Sequence, residues 1–245
     1  ELYPEKVKVC IITDSNVAPL YLEQLKSAVS DVFTKVHDFT FEAGEESKNL
    51  DVINEAYEGL IDHHFNRKDV LIALGGGVTG DMTGYIAATY MRGIDFIQVP
   101  TTLLSMVDSS IGGKTGVDYK QYKNMIGAFK MPRLVYINTS VLKTLSDLQF
   151  ASGMAEVLKA GLLKDANFYE WTINNFLEIN DKNEEILTNM IRKSIEIKKF
   201  IVEKDPFEQG DRALLNLGHT VGHAIEKYMN FTKAHGECVA LGTIV

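Results

Sequence analysis

The stretch DVLIALGGGVTGD, residues 69–81, decides the fold. Its first half is a short apolar run opened by Asp69, the pattern of a strand buried on both faces. Its second half is a glycine-rich turn that leads into a helical pattern over 79–91. A strand passing through glycines into a helix is the opening of a βαβ unit. Gly75, Gly77 and Gly80 fit G-x-G-x-x-G in form, a spacing that lets backbone N–H groups approach a pyrophosphate at a helix N-terminus. The standard dinucleotide fingerprint also wants an acidic residue at the end of the next strand. Here Asp95 opens that strand, so the fingerprint is non-standard. Asp81, one turn into the helix, reads as a cap or as a ligand contact.

Outward from this unit, VKVCIIT (7–13), DFIQVP (95–100) and RLVYIN (133–138) read as further buried strands, and 20–29, 50–63 and 79–91 as helices. The alternation predicts a Rossmann-like α/β domain, a largely parallel sheet with helices on both faces. After about Val141 the strand pattern stops, and 153–163, 166–176, 184–203 and 211–228 carry helical periodicity. The expected organisation is an α/β domain over 1–144 followed by an all-α domain over 145–245. Both ends read as cut: the chain opens at Glu1 without methionine and stops in ALGTIV soon after His235, so the helical domain is expected to be truncated here.

With 245 residues, 45% hydrophobic and 24% charged, the composition is that of an ordinary soluble protein. A net charge of −8 argues against general nucleic-acid or anionic-membrane binding. An anionic small substrate would need a local cluster of cations. Cys10 and Cys238 are too few for a disulfide framework, and no apolar run is long enough to span a bilayer, which makes the cytoplasm the expected compartment.

The chemistry concentrates late in the chain. In RALLNLGHTVGHAIEKYM (212–229), Arg212, Asn216, His219 and His223 recur at spacings of four, three and four, one stripe of a single helix. Leu214, Leu215, Leu217, Val221 and Ile225 are expected to bury that helix on most other sides. Gly218 and Gly222 each precede a histidine, and glycine inside a helix costs about 1 kcal/mol relative to alanine. That cost points to close approach by another chain or a ligand. Histidines at i, i+4 aim two imidazoles at one point, and His235 in KAHGE and Glu156 in SGMAEVLKAG extend the donor set, with Lys159 on the face of Glu156. Spacing alone leaves open both a divalent metal site and hydrogen-bonded core histidines. GGKTG (112–116) is no P-loop, because Asp108 stands where that motif needs glycine. The surrounding VDSSIGGKTG reads as a small-residue loop that offers Lys114 to an anion.

Taken in order, GGGVTGD, YMRG, QVPTTLLSMVDSSIGGKTGVD, KNMIGAF, SGMAEVLK, LLNLGHTVGHAIE and HGE resemble the 3-dehydroquinate synthases of the sugar phosphate cyclase family over nearly the whole chain. The resemblance implies that Glu156, His219 and His235 hold zinc or cobalt, with His223 turned to substrate. It implies NAD contacts at Asp14, Asn16, Glu45, Lys48, Gly77, Val78, Thr79, Gly80, Asp81, Thr101, Thr102, Lys114, Lys123, Leu142 and Thr144. Contacts to an anionic sugar phosphate fall on Asp108, Lys114, Asn124, Lys159, Lys198, Arg212, Asn216 and His223, with Arg92 reaching from the second subunit of a homodimer. Lys198 and Arg212 are expected to take a carboxylate, and Lys114, Asn124 and Lys159 a phosphate. The implied substrate is 3-deoxy-D-arabino-heptulosonate 7-phosphate, oxidised at carbon 5, relieved of phosphate, reduced and closed by an aldol step. One departure is Ser146 and Leu148, where the family shows the proline and arginine of TLPxR. The alternatives are another sugar phosphate cyclase or an inactive NAD-binding fragment. Metal-dependent polyol dehydrogenases share the fold but lack the KNMIGAF and GGKTG elements.

Overall fold

The computed structural model describes residue 3, residues 7–229 and residues 232–245. The chain forms two compact units, one of residues 1–101 and 113–137, the other of residues 102–112 and 138–245.

In the first unit, β1 (Lys8–Asp14), α1 (Ala18–Val29), β2 (Lys35–Phe41), α2 (Leu50–Asp62), β3 (Val70–Gly75), α3 (Gly77–Thr89) and β4 (Asp95–Pro100) follow in order. β5 (Lys114–Tyr119), β6 (Tyr122–Phe129) and β7 (Leu134–Val135) complete it. Among the described residues the main sheet runs β2-β1-β3-β4-β7, parallel throughout. Its central strand β3 is buried along its whole length, as its unbroken apolar sequence requires. Side-chain alternation splits the core in two. Cys10, Ile12 and Leu71 face one layer with Ile53, Met82 and Ile86 of α2 and α3. Val9, Ile11, Val70 and Ile72 face the other with Leu22 of α1.

Two local expectations change, and β2 is a strand that the sequence reading did not include. β2 lies at an edge and is mostly solvent-accessible, so KVHDFTF lacks the apolar run that marks its neighbours. β7 is an edge strand of two residues rather than a buried strand over 133–138, with Leu134 41% exposed. The expected loop around Lys114 is instead a π-helical turn at Ser105–Ser109 followed by an antiparallel hairpin of β5 and β6. Gly116 and Gly127 pair across that hairpin, and a side chain on Gly127 would overlap the Thr115 carbonyl oxygen. Their glycines serve close strand approach, not looseness.

The second unit is helical: α4 (Asp147–Lys164), α5 (Ala166–Asn174), α6 (Phe176–Asn180), α7 (Glu184–Lys204), α8 (His219–Tyr228) and α9 (His235–Ile244). Ser146 caps α4 by accepting from the Gln149 N–H, so the residue that departs from the proline pattern has its own structural use. Asp165 and Asn183 cap α5 and α7 in the same way. Segment 102–112 packs Leu103, Met106 and Val107 into this unit's core. No helix among the described residues is long and apolar enough to cross a membrane.

Candidate functional site

In the helical unit, Glu156 on α4 is buried, with its side chain 3% exposed. One carboxylate oxygen, Oε2, pairs with the Lys159 ammonium, which also donates to the Leu215 carbonyl at 2.7 Å. The other, Oε1, is buried without a hydrogen-bond partner. Such an orphaned carboxylate oxygen is costly unless something cationic meets it. His235, the first residue of α9, places Nε2 3.9 Å from that oxygen. His219, the first residue of α8, lies with its ring centroid 5.2 Å from that of His235. Ligand atoms of Glu156, His219 and His235 all fall within 4.8 Å of one another.

The electrostatics of the trio suit a divalent cation. Burial, then the Asp108 charge, raises the Glu156 pKa against the pull of Lys159. Burial and the Lys159 charge press His219 down to about 4, which leaves a neutral imidazole at neutral pH. The Leu217 carbonyl can only accept, so the His219 Nδ1 contact at 3.2 Å fixes the proton on Nδ1 and leaves Nε2 as the donor nitrogen. A carboxylate with two imidazoles is the donor set of an open zinc-type site.

Asp108 and Lys198 stand beside this set. The Lys198 ammonium donates to the Asp108 carbonyl at 2.6 Å and to its carboxylate at 2.5 Å. Burial favours the neutral acid, but Lys198 and then Lys159 hold Asp108 below the usual carboxylate range. A cavity of about 10 Å³, room for about one water molecule, lies among Asp108, Glu156, Lys159 and Lys198. A larger groove of about 430 Å³ on α5 and α7, walled by Phe168 and Trp171, contains none of the expected residues.

The single helix expected over 211–228 is two pieces. Asp211–Asn216 is a 3₁₀ turn, Gly218 takes φ +76°, and α8 begins at His219. Arg212 and Asn216 therefore do not share the histidine stripe. Arg212 is buried, and its guanidinium donates to the carbonyls of Pro206 at 2.5 Å and Gly112 at 3.0 Å, which braces segment 102–112. Asn216 is exposed and donates to Glu208 at 2.9 Å. The expected burial by Leu214, Leu217 and Val221 fails, since they are 59%, 40% and 38% exposed. The close approach that the two glycines admit is that of α9. A side chain on Gly218 would overlap Thr243 of α9, and one on Gly222 would come within 3.0 Å of the Cys238 carbonyl oxygen.

In the α/β unit, the N-terminus of α3 has Gly76 as its cap, with no side chain closing the N–H groups of the first turn. Asp14, at the end of β1, accepts from Thr79 Oγ1 at 3.1 Å and from the N–H groups of Asn16 and Val17. The Thr101 N–H donates to the Gly75 carbonyl at 2.9 Å, holding the end of β4 against that turn. Asp81 pairs with the buried Lys48 ammonium at 2.7 Å. The same ammonium donates to Asn124 Oδ1 at 2.6 Å, and the Asn124 N–H donates to Asp118 at 2.7 Å. Burial opposes the charge on Lys48, but Asp81 and Glu45 outweigh it and raise the pKa. Glu45 and Lys123 lie 3.6 Å apart, Lys114 opens β5 on the surface, and Arg92 follows α3 at φ +69°. Thr102, Leu142 and Thr144 belong to the helical unit.

Lys48→Met removes the ammonium and leaves Asp81 and Asn124 facing apolar atoms. Loss of about 3 kcal/mol is expected, the low end for breaking a buried pair, because the Asp81 side chain keeps 20% of its exposure. Urea unfolding of the variant measures it, and a midpoint equal to that of the original chain would show the pair to be idle.

Residues 38–152 match the N-terminal region of 3-dehydroquinate synthase, and residues 153–245 match its C-terminal region. The 3-dehydroquinate synthase of Acetivibrio thermocellus is 48% identical over 237 residues, which cover 97% of this chain and 66% of that protein. That of Shewanella pealeana is 49% identical over 244 residues, covering 99% and 68%. The chain thus spans about two thirds of the length of these curated relatives. Among solved structures, 2-deoxy-scyllo-inosose synthase complexed with carbaglucose-6-phosphate, NAD+ and Co2+ superposes with a TM-score of 0.92 at 31% identity, over 98% of this chain and 65% of that one. The 2-epi-5-epi-valiolone synthase of Streptomyces hygroscopicus, with NAD+ and Zn2+ bound, gives 0.91 at 26% identity, over 97% and 67%. An NADH-dependent butanol dehydrogenase of Thermotoga maritima, at 15% identity and a TM-score of 0.70, shares the fold.

Proposed function

Because the chain belongs to the 3-dehydroquinate synthase family, we propose that it carries the dinucleotide and metal sites of an enzyme converting 3-deoxy-D-arabino-heptulosonate 7-phosphate to 3-dehydroquinate and inorganic phosphate. The observation that carries this reading is the orphaned Glu156 Oε1 facing the neutral imidazole of His219 and the Nε2 of His235. NAD would lie at the uncapped start of α3, with Asp14, Asn16, Lys48 and Asp81 around it, because free N–H groups at a helix N-terminus favour a pyrophosphate. A divalent metal would be held by Glu156, His219 and His235. When bound, the two groups supply a hydride acceptor and donor and a Lewis acid that acidifies a substrate hydroxyl.

The chain's own residues then have distinct tasks. Lys159 balances the Glu156 charge and is held to the Leu215 carbonyl, so its ammonium stays fixed. Lys198, hydrogen-bonded to Asp108, is the cation offered to the substrate carboxylate. Arg212, bound to backbone carbonyls, shapes the turn that carries Asp108 and leaves the carboxylate to Lys198. His223, with a side chain 59% exposed, is the titratable group open to substrate. The net conversion eliminates one phosphate and leaves no net oxidation, so phosphate release reports it.

The expected result is phosphate release from the heptulosonate phosphate in the presence of NAD+ and zinc or cobalt, lost on chelation. NAD and metal binding without release would reduce the chain to a binding unit. A second reading, another cyclase of the same chemistry, draws on the likeness to 2-deoxy-scyllo-inosose synthase. Glucose 6-phosphate offered in the same assay separates the two, since it lacks the carboxylate that Lys198 would meet.

A further inference from the structure

The donor set of Glu156, His219 and His235 is backed by a fourth residue that the sequence pattern does not single out. Glu226, on α8, has a side chain 4% exposed, and its Oε1 lies 2.9 Å from His235 Nδ1. A buried carboxylate is costly unless it is hydrogen-bonded and compensated, so this contact is a principal part of what makes the position tenable. We propose that Glu226 is a positioning residue for the metal: it holds His235 through Nδ1–H so that Nε2 is presented to the cation. This rests on the reading that Glu156, His219 and His235 bind the metal.

The geometry argues for it in two steps. An ionised carboxylate can only accept, so the shared proton sits on His235 Nδ1, and Nε2 is the nitrogen left to meet a cation. That nitrogen is 3.9 Å from Glu156 Oε1, beyond hydrogen-bond range. Two ligands about 2.0–2.1 Å from a tetrahedral zinc lie roughly 3.3–3.5 Å apart, so a small inward movement of either atom closes the site. One helix therefore does two jobs. α8 supplies His219 at its first residue and, seven residues on, the carboxylate that orients the ligand at the start of α9. Carboxylates behind metal-bound histidines fix ring orientation and raise ligand basicity.

A different arrangement uses the same carboxylate as a direct ligand, because His223, Glu226 and His235 also bring donor atoms within 4.8 Å. The exposed side chain of His223 and the engagement of Glu226 with the nitrogen that faces away from Glu156 favour the positioning role.

Equilibrium titration of the whole chain with Zn2+, and with Co2+ read by its visible absorption, tests the proposal on five forms: the original chain, Glu226→Ala, Glu226→Gln, His219→Ala and His223→Ala. The expected results are a 10- to 100-fold weaker Kd and an altered cobalt spectrum for Glu226→Ala, in the range typical of such second partners. Glu226→Gln should fall between, because its amide oxygen still accepts from Nδ1–H, and it carries the test if the alanine variant fails to fold. His223→Ala should keep its affinity. Unchanged affinity and spectrum in Glu226→Ala and Glu226→Gln would overturn the positioning role alone. Retention in His219→Ala with loss in His223→Ala would place the metal on the other donor set and overturn it too. No binding by the original chain would instead sink the metal reading on which the proposal stands.

Discussion

His219→Ala is expected to leave the chain unable to retain zinc or cobalt at micromolar concentration and, with the metal gone, unable to release phosphate. Sharing the ~10–16 kcal/mol of a four-ligand zinc site among its ligands gives about 3–4 kcal/mol for each, or roughly a 10²- to 10³-fold loss of affinity. His219 sits at the first residue of α8 with its Nδ1 proton fixed by the Leu217 carbonyl, and no other imidazole of α8 can replace it without leaving the face of Glu156. Metal content after dialysis measures the loss. Lys114→Ala is the companion variant, expected to keep the metal because Lys114 lies on β5 in the α/β unit. Metal retained by His219→Ala at the original affinity would remove this histidine from the ligand set.

Gly236→Ala should weaken both the fold and the metal site although it touches no ligand atom. A side chain at Gly236 would overlap the Ser152 carbonyl oxygen and stand 2.6 Å from the Ser152 carbonyl carbon and Cα. Both obstacles are backbone of α4, and the Gly236 N–H already donates to Ser152 Oγ at 2.9 Å, so relief requires the start of α9 to move by roughly 1 Å to restore van der Waals separation. His235 is the preceding residue and moves with it, away from Glu156 on α4. Destabilisation of about 1–3 kcal/mol is expected from the overpacking, with metal affinity lowered by roughly 10-fold or more as the ligand leaves its geometry. Gly59→Ala is the contrasting case. That glycine lies inside α2 with open space around it, so alanine should stabilise by about 0.5–1 kcal/mol. Thermal unfolding of the two variants side by side, with metal titration of the first, decides the matter. Equal stability of both would mean that α9 has room to move.

The sequence revealed elements whose burial is uniform and hid those whose burial is not. β1, β3 and β4 lie inside the sheet and read directly as apolar runs. β2 is an edge strand with alternating exposure, and β6 has half its side chains in solvent, so neither carries a run to read. In the hairpin, glycines needed for strand contact had the composition of a loop. The break at Gly218 was missed because the spacing of 212, 216, 219 and 223 fits a continuous helix, and only the backbone of α9 against Gly218 and Gly222 requires otherwise. The donor set was narrowed to Glu156, His219 and His235 by resemblance, because spacing alone kept His223 beside them and left hydrogen-bonded core histidines open. Glu226 was not nameable, because a glutamate beside Lys227 near a helix end has the pattern of a solvated face, and its burial comes from α9 folding back. Lys48, Asp81 and Asn124 could each be named by resemblance, yet their joining into one hydrogen-bonded cluster depends on the positive φ of Asn124 and the register of the hairpin.

The excursion of residues 102–112 limits how this chain could be recombined. The polypeptide enters the helical unit after β4, returns to build the hairpin, and leaves again at 138. A crossover between two parental genes anywhere from 113 to 138 would therefore take Asp108 from one parent and Lys198 from the other, and likewise part Gly112 from Arg212. A crossover before 102 divides the parallel sheet from its hairpin. No single crossover trades one unit intact, so the two units are inherited as a pair, and chimaeras of relatives should succeed only when two breakpoints carry 102–112 together with the helices it serves.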